Sequence, residues 1–257
     1  MDKRKQAELN GCLEALCLMT ARRRYADIAQ NARKESLGHE DYLLCVVEEE
    51  AEARKNRRIE RQLQYSRLPL EKTMDIFDLN RLPLTVRQKI PILLDGGFIN
   101  HRENILIFGN PGSGKTHLAC ALGQELIRRD KRVYFTTCAL FLQELLAAKK
   151  ALKLPYLIKK LNRYHVIIID DIGYVQQAKE EMEVLFTLLA ERYERGSVMI
   201  TSNLPFSKWE KIFKDPMMTA AAIDRVVHHS IILELNIPSY RVAQAKKKKT
   251  EMEKVGA

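Results

Sequence analysis

The chain has 257 residues, 46% apolar and 30% charged, a balance that excludes a disordered polymer and leaves room for one well-buried domain plus a smaller attachment. Lysine and arginine number 43 against 33 acids, a formal charge of +10, which either favours a polyanionic partner through counterion release or merely keeps the surface soluble. Five scattered cysteines without paired spacing argue against a zinc site or disulfide framework, and no signal core or run of about 18 apolar residues is present, so a cytoplasmic protein with no membrane contact is expected.

The first 68 residues contain no proline and only two glycines, Gly11 and Gly38. Apolar residues recur at helical spacing (Leu9, Leu13, Leu16; Tyr25, Ile28, Ala29; Tyr42, Leu43, Val46, Val47), which predicts two or three helices, the last a long one reaching about Leu68. Its tail carries Arg54, Lys55, Arg57, Arg58, Arg61 and Arg67, a solvated helix face or a DNA contact. Pro69 ends it, so 1–68 reads as a helical N-terminal domain. Residues 70–103, with Pro83, Pro91 and Gly96-Gly97, read as a connector.

From Asn104 the pattern alternates. Strands at 105–108, 133–135, 166–169, 198–200 and 230–235, with amphipathic helices at 116–129, 140–148 and 180–193, predict an α/β fold. Apolar strands separated by helices mean a central parallel sheet covered by helices. This core is expected over 69–245, and residues 246–257 read as a disordered basic tail.

Between the first of these strands and its helix stands Gly109-Asn110-Pro111-Gly112-Ser113-Gly114-Lys115-Thr116, a P-loop in the context that confirms one. The glycines let successive N–H groups turn inward on phosphates, with the helix dipole behind them. Lys115 is expected on the β- and γ-phosphates of a nucleoside triphosphate and the Thr116 hydroxyl on Mg²⁺. Val166 to Ile169 end in Asp170-Asp171, two acids at the C-terminal edge of a buried strand. Asp170 fits the Mg²⁺-anchoring acid, and Asp171 the group that orients and deprotonates the attacking water. The strand at 198–200 ends in Thr201-Ser202-Asn203, which makes Asn203 a candidate sensor of the γ-phosphate. Arg225 and Arg241 are each candidates for stabilising transition-state charge, or surface ion-pair partners.

Taken together with Asp170-Asp171-Ile172-Gly173-Tyr174, Thr201 to Phe206 with Trp209, Ala222 to His229 and Ser239-Tyr240-Arg241, the chain resembles the AAA+ ATPases of the replication-initiator group. Within that group it is most similar to the IstB/DnaC-like family, on the side of the IstB helper ATPases of insertion sequences, over essentially its whole length. The resemblance implies ATP and Mg²⁺ as cofactors, a homo-oligomer on duplex DNA, target capture, and stimulation of a cognate IstA-like transposase. It also implies that Arg225 is an arginine finger reaching a neighbouring subunit's ATP, that Arg241 is a second sensor on the nucleotide, and that residues 139–163 hold extra helical structure. That segment carries Lys149, Lys150, Lys153, Lys159, Lys160 and Arg163 against Glu144 alone, a DNA-facing surface or a solvated face. One departure bears on rate. Related hydrolysing ATPases carry glutamate where Asp171 stands, and the shorter carboxylate sits about 1 Å further back, so hydrolysis is expected to be slow.

Rival functions are a loader for the replicative helicase, an ATP-gated assembly protein with little turnover, and a small-molecule kinase on the same P-loop. His228-His229 lacks partners at ligand spacing and reads as packing, and Trp209 as a local hydrophobic anchor.

Overall fold

The structure is a computed structural model that describes residues 2–173, 178–205, 208–209 and 216–240. Tyr174, Phe206, Arg241 and the tail 246–257, all singled out in the sequence, lie outside the described residues. The chain divides into two compact units, residues 1–61 and 62–257.

In the N-terminal unit, helix α1 (Lys3–Ala15) is capped by Asp2, whose carboxylate accepts from the Arg4 N–H at 3.3 Å. Helices α2 (Met19–Lys34) and α3 (His39–Ser66) follow, the division between the units falling within α3. Ala21, Tyr25 and Ile28, spaced one turn apart, bury against Val46, with Leu9, Leu13 and Tyr42 packed around them. Helix α2 has no capping side chain of its own. Glu50 of α3 takes that place: its buried Oε2 accepts from the N–H groups of Thr20 at 2.7 Å and Ala21 at 2.9 Å. A carboxylate thus sits on the positive end of the α2 dipole, and Arg54 and Arg57 balance its charge from the outer side.

In the larger unit, the end of α3 is followed by an irregular stretch and a short 3-10 turn at Leu79–Arg81, capped by Asp78. Residues 84–95 then form helix α4 (Leu84–Asp95), where the sequence reading had only a connector. Pro91 lies inside it, at the cost of one backbone hydrogen bond. Burial of Val86, Ile90 and Leu93 along one stripe outweighs that loss. Gly96, in the left-handed region at φ 78°, closes the helix and starts α5 (Gly97–Asn100).

The remaining elements alternate as expected: β1 (Asn104–Gly109), α6 (Lys115–Arg128), β2 (Val133–Thr137), α7 (Cys138–Lys150), α8 (Leu154–Leu161), β3 (Val166–Ile172), α9 (Lys179–Arg192), β4 (Ser197–Ser202), α10 (Pro216–Val227) and β5 (Ser230–Leu235). All pairings are parallel, and the five-stranded sheet runs β2-β3-β4-β1-β5. β1, β3 and β4 are central and buried on both faces, which is why their sequences read as continuous apolar runs. Trp209 is fully buried and donates from Nε1 to Leu204 O at 3.2 Å, as an anchor should. At the N-terminal edge of the sheet Arg192 is 2% exposed. Its guanidinium donates to the carbonyls of Leu161, Tyr164, His165 and Ser197, tying the entries of β3 and β4 together.

Candidate nucleotide site

The strand order brings the C-terminal ends of β1 and β3 side by side with β4 between them, and that edge carries the predicted residues. The P-loop turns from β1 into α6. Gly112 (φ 79°) and Gly114 (φ 97°) occupy the left-handed region, where a side chain is strained. A Cβ at Gly109 would stand 2.5 Å from Leu235 O, so the loop also packs tightly on the end of β5. Lys115 is buried, and its ammonium donates to Gly109 O at 2.8 Å and Asn110 O at 3.0 Å, which folds the lysine back over the loop it belongs to. Ser113 Oγ is buried inside the loop without a hydrogen-bond partner among the described residues. A bound phosphate oxygen would supply such a partner.

Thr116 Oγ1 donates to Asp170 Oδ2 at 3.0 Å, joining the two Mg²⁺ candidates. The other Asp170 oxygen accepts from Thr201 Oγ1 at 2.6 Å, and the same hydroxyl accepts from the Asp171 N–H at 2.8 Å. The backbone explains this arrangement. β3 and β4 pair Ile169 with Ile200 and then Ile172 with Ser202, three residues on one strand against two on the other. The extra residue is a bulge that lifts both acids onto the rim of the sheet. It leaves Asp171 in the left-handed region at φ 63°, a strained conformation for a non-glycine residue. Burial, and next the charge of Asp170, push the Asp171 carboxyl above its ordinary range, with Lys115 opposing them. No group of three His, Cys, Asp or Glu that could cage a metal exists among the described residues. That donor set suits Mg²⁺, which takes one or two protein ligands and completes its shell with phosphates and water.

A cavity of about 620 Å³ opens from these groups, within the size range of small-molecule sites. Its far wall was not foreseen in the sequence. Ile76, Phe77 and Arg81 come from the stretch before α4, and Ile237 and Tyr240 from the segment after β5. Arg81 fastens the two: its guanidinium lies 4.8 Å from the Tyr240 ring centre and donates to Pro238 O at 2.9 Å. The Tyr240 N–H in turn donates to Gly112 O at 2.9 Å. Gln124 of α6 steadies the near end of this wall by donating to the carbonyls of Pro69 and Lys72. The cavity thus has a polar, glycine-rich floor suited to phosphate groups and a wall with apolar and aromatic members suited to a base.

The structure brings together Gly109 to Thr116, Asp170 and Asp171. Asn203 is placed apart: it follows β4 with its Oδ1 buried and without a hydrogen-bond partner among the described residues, and it does not line the cavity. Thr201, two residues earlier, is the group from that strand end that touches an acid. Arg225 lies on α10, also outside the cavity. Its guanidinium stacks 4.8 Å from the Phe186 ring centre, and Nη1 is buried without a hydrogen-bond partner among the described residues. The six cations of 149–163 are all exposed, on α7, on α8 and just beyond them, and Lys149 forms an ion pair with Glu183 at 3.1 Å.

A parallel β2-β3-β4-β1-β5 sheet, with a P-loop after β1 and paired acids closing β3, defines a P-loop nucleoside-triphosphate-binding protein of the AAA+ class. The sequence profile described as "IstB-like ATP binding protein" matches residues 11–249. The chain belongs to that family. An insertion-sequence ATP-binding protein of Sinorhizobium fredii is 40% identical over 237 residues, 92% of this chain and 80% of that one. The insertion sequence IS21 ATP-binding protein of Pseudomonas aeruginosa is 34% identical over 220 residues, 86% of this chain and 83% of its own length. Among solved structures, AMPPCP-bound DnaA from Aquifex aeolicus superposes with a TM-score of 0.54 at 18% identity, covering 72% of this chain and 56% of that one. DnaI superposes at 0.55 and 18% identity, covering 65% and 94%. These likenesses show the fold. No helix among the described residues is long and apolar enough to cross a membrane.

Proposed function

We propose that the protein is an ATPase that assembles on duplex DNA in its ATP-bound state and serves as the helper of a cognate transposase, marking target sites and stimulating the partner. The relatives' names place them in insertion sequences, which supports the transposition context. The observation that carries assembly is the position of Arg225. A guanidinium held over Phe186 on α10, with no place in its own cavity, is suited to a site completed by a second copy. Supplied in trans, it would stabilise charge developing on a neighbour's γ-phosphate.

Within one chain, Lys115 and the P-loop N–H groups bind the triphosphate, and Thr116 with Asp170 would hold Mg²⁺. When bound there, the ion would supply positive charge that offsets the negative charge developing during phosphoryl transfer. Thr201 fixes the Asp170 carboxylate and the Asp171 backbone at once. Asp171 orients the attacking water and accepts its proton, slowly, because its carboxylate is short and its backbone is fixed by the bulge. Asn203 and Arg241 remain candidate sensors. The exposed cations from Lys149 to Arg163 serve as the phosphate-contacting surface for DNA.

Sizing the full chain by light scattering with ATP, with duplex DNA and with both tests this reading. Mass should rise with ATP and DNA, and Arg225→Ala should remove that rise. A particle of unchanged mass under all conditions would refute it.

A further inference from the structure

The turn between α7 and α8 spends conformational energy without gaining burial. Helix α7 ends in a Schellman motif, with the Leu152 N–H donating to Lys149 O at 3.0 Å and the Lys153 N–H to Ala148 O at 2.8 Å. The residue at the left-handed position of this motif is usually glycine, because a Cβ there is strained. Here it is Leu152, at φ 56° and 87% exposed. Four residues on, Tyr156 is 77% exposed. Helix α8 buries Ile158 and Leu161, with Leu154 and Leu157 packed beside them, so its other face presents Tyr156, Lys159 and Lys160, with Arg163 just beyond. Lys150 and Lys153 flank the leucine. The one acid of the segment, Glu144, is turned away, accepting from Tyr134 Oη at 3.1 Å and Arg67 Nη1 at 3.4 Å.

Two large apolar side chains at the tip of a cationic hairpin match a polyanion that also offers apolar surface between its layers. We infer that Leu152 and Tyr156 form a wedge that enters the base stack of duplex DNA while the surrounding lysines and Arg163 hold its phosphates. Apolar side chains used in this way unstack a base step and kink the duplex, so the protein would prefer easily bent DNA. The inference rests on the DNA-binding reading above and extends it: sequence preference arises from deformability, with no hydrogen-bonded base readout.

The test uses the full chain with ATP, Mg²⁺ and an end-labelled duplex containing 2-aminopurine, whose fluorescence rises when it unstacks. Wild type should brighten the probe on binding. The double variant Leu152→Gly, Tyr156→Ala should bind about tenfold more weakly, leave the probe dark at saturation, and keep the wild-type salt dependence. Lys159→Ala, Lys160→Ala should instead lower the salt slope by about two while still brightening the probe. Leu152→Gly alone should melt no lower than wild type, since glycine is favoured at that position, which separates loss of the wedge from loss of the fold. If wild type binds the duplex and the double variant binds and brightens equally, the wedge is refuted and the DNA reading stands. Loss of self-association with unstacking intact also refutes it, assigning the tip to a protein contact. If wild type is not retained on duplex at low salt, both readings fall.

Discussion

Thr201 joins two functions in one hydroxyl, donating to Asp170 and accepting from the Asp171 backbone. Thr201→Val keeps the shape and removes both bonds. Turnover should fall by about 10- to 100-fold, as for other residues that orient an ion's ligands, while the ATP dissociation constant changes little. A parallel loss of ATP affinity in a binding titration would show that Thr201 shapes the pocket rather than the acids. Asp171→Glu extends the carboxylate toward the water and should raise turnover by about tenfold or more, which steady-state kinetics would read. Unchanged turnover would locate the slow step elsewhere. Burial and Asp170 raise the Asp171 carboxyl, so the working base is lost at a higher pH than for an ordinary carboxylate. The rate should therefore fall on acidification before a solvated aspartate would protonate, and Asp171→Asn should abolish that limb of the profile. The P-loop and both acids were legible because their chemistry requires adjacent residues in a fixed order. Thr201 was passed over for Asn203 because nothing in a linear sequence reveals a bulge, and the bulge decides which side chain at the end of β4 faces the acids.

At the scale of elements, continuous apolar runs gave the strands of the sheet, since β1, β3 and β4 are buried on both faces. Helix α4 was missed because Pro91 reads as a breaker, whereas three buried residues on one stripe keep it helical. The wall formed by Phe77, Arg81 and Tyr240 was equally hidden, as it depends on bringing together segments far apart in sequence. The cap that Glu50 provides for α2 is another such long-range device. Burial pushes its carboxyl up, but the N–H of Ala21, Arg54 and the N–H of Thr20 outweigh that and leave it below the ordinary value of 4.5. A lowered folded value means that the stabilisation is complete above about 4.5 and is lost as pH falls from there through the folded value. Glu50→Gln should weaken the N-terminal unit by about 2 kcal/mol at neutral pH. Protection of the Thr20 and Ala21 amides in the full chain, measured as hydrogen exchange relative to each amide's intrinsic rate at that pH, should then fall, as it should in wild type below about pH 4.5. Exchange insensitive to both changes would mean that packing alone holds α2.

At the scale of the whole molecule, the P-loop and the paired acids meet within one chain, and Arg225, proposed above to complete a neighbour's site, lies outside that cavity against Phe186. Charge alone left a nucleic-acid partner and a soluble surface equally open. The α7–α8 cations are exposed and Glu144 is drawn away from them, and the proposed DNA contact rests on that placement. Sharing of the site between subunits is tested most directly by mixing two inactive variants. Lys115→Ala lacks a competent P-loop but keeps Arg225, and Arg225→Ala has the reverse defect. With duplex DNA present, each alone should hydrolyse ATP at least about tenfold more slowly than wild type, and the mixture should regain a substantial part of the lost rate. A mixture no more active than its components, or Arg225→Ala turning over at the wild-type rate, would contradict a site shared between subunits.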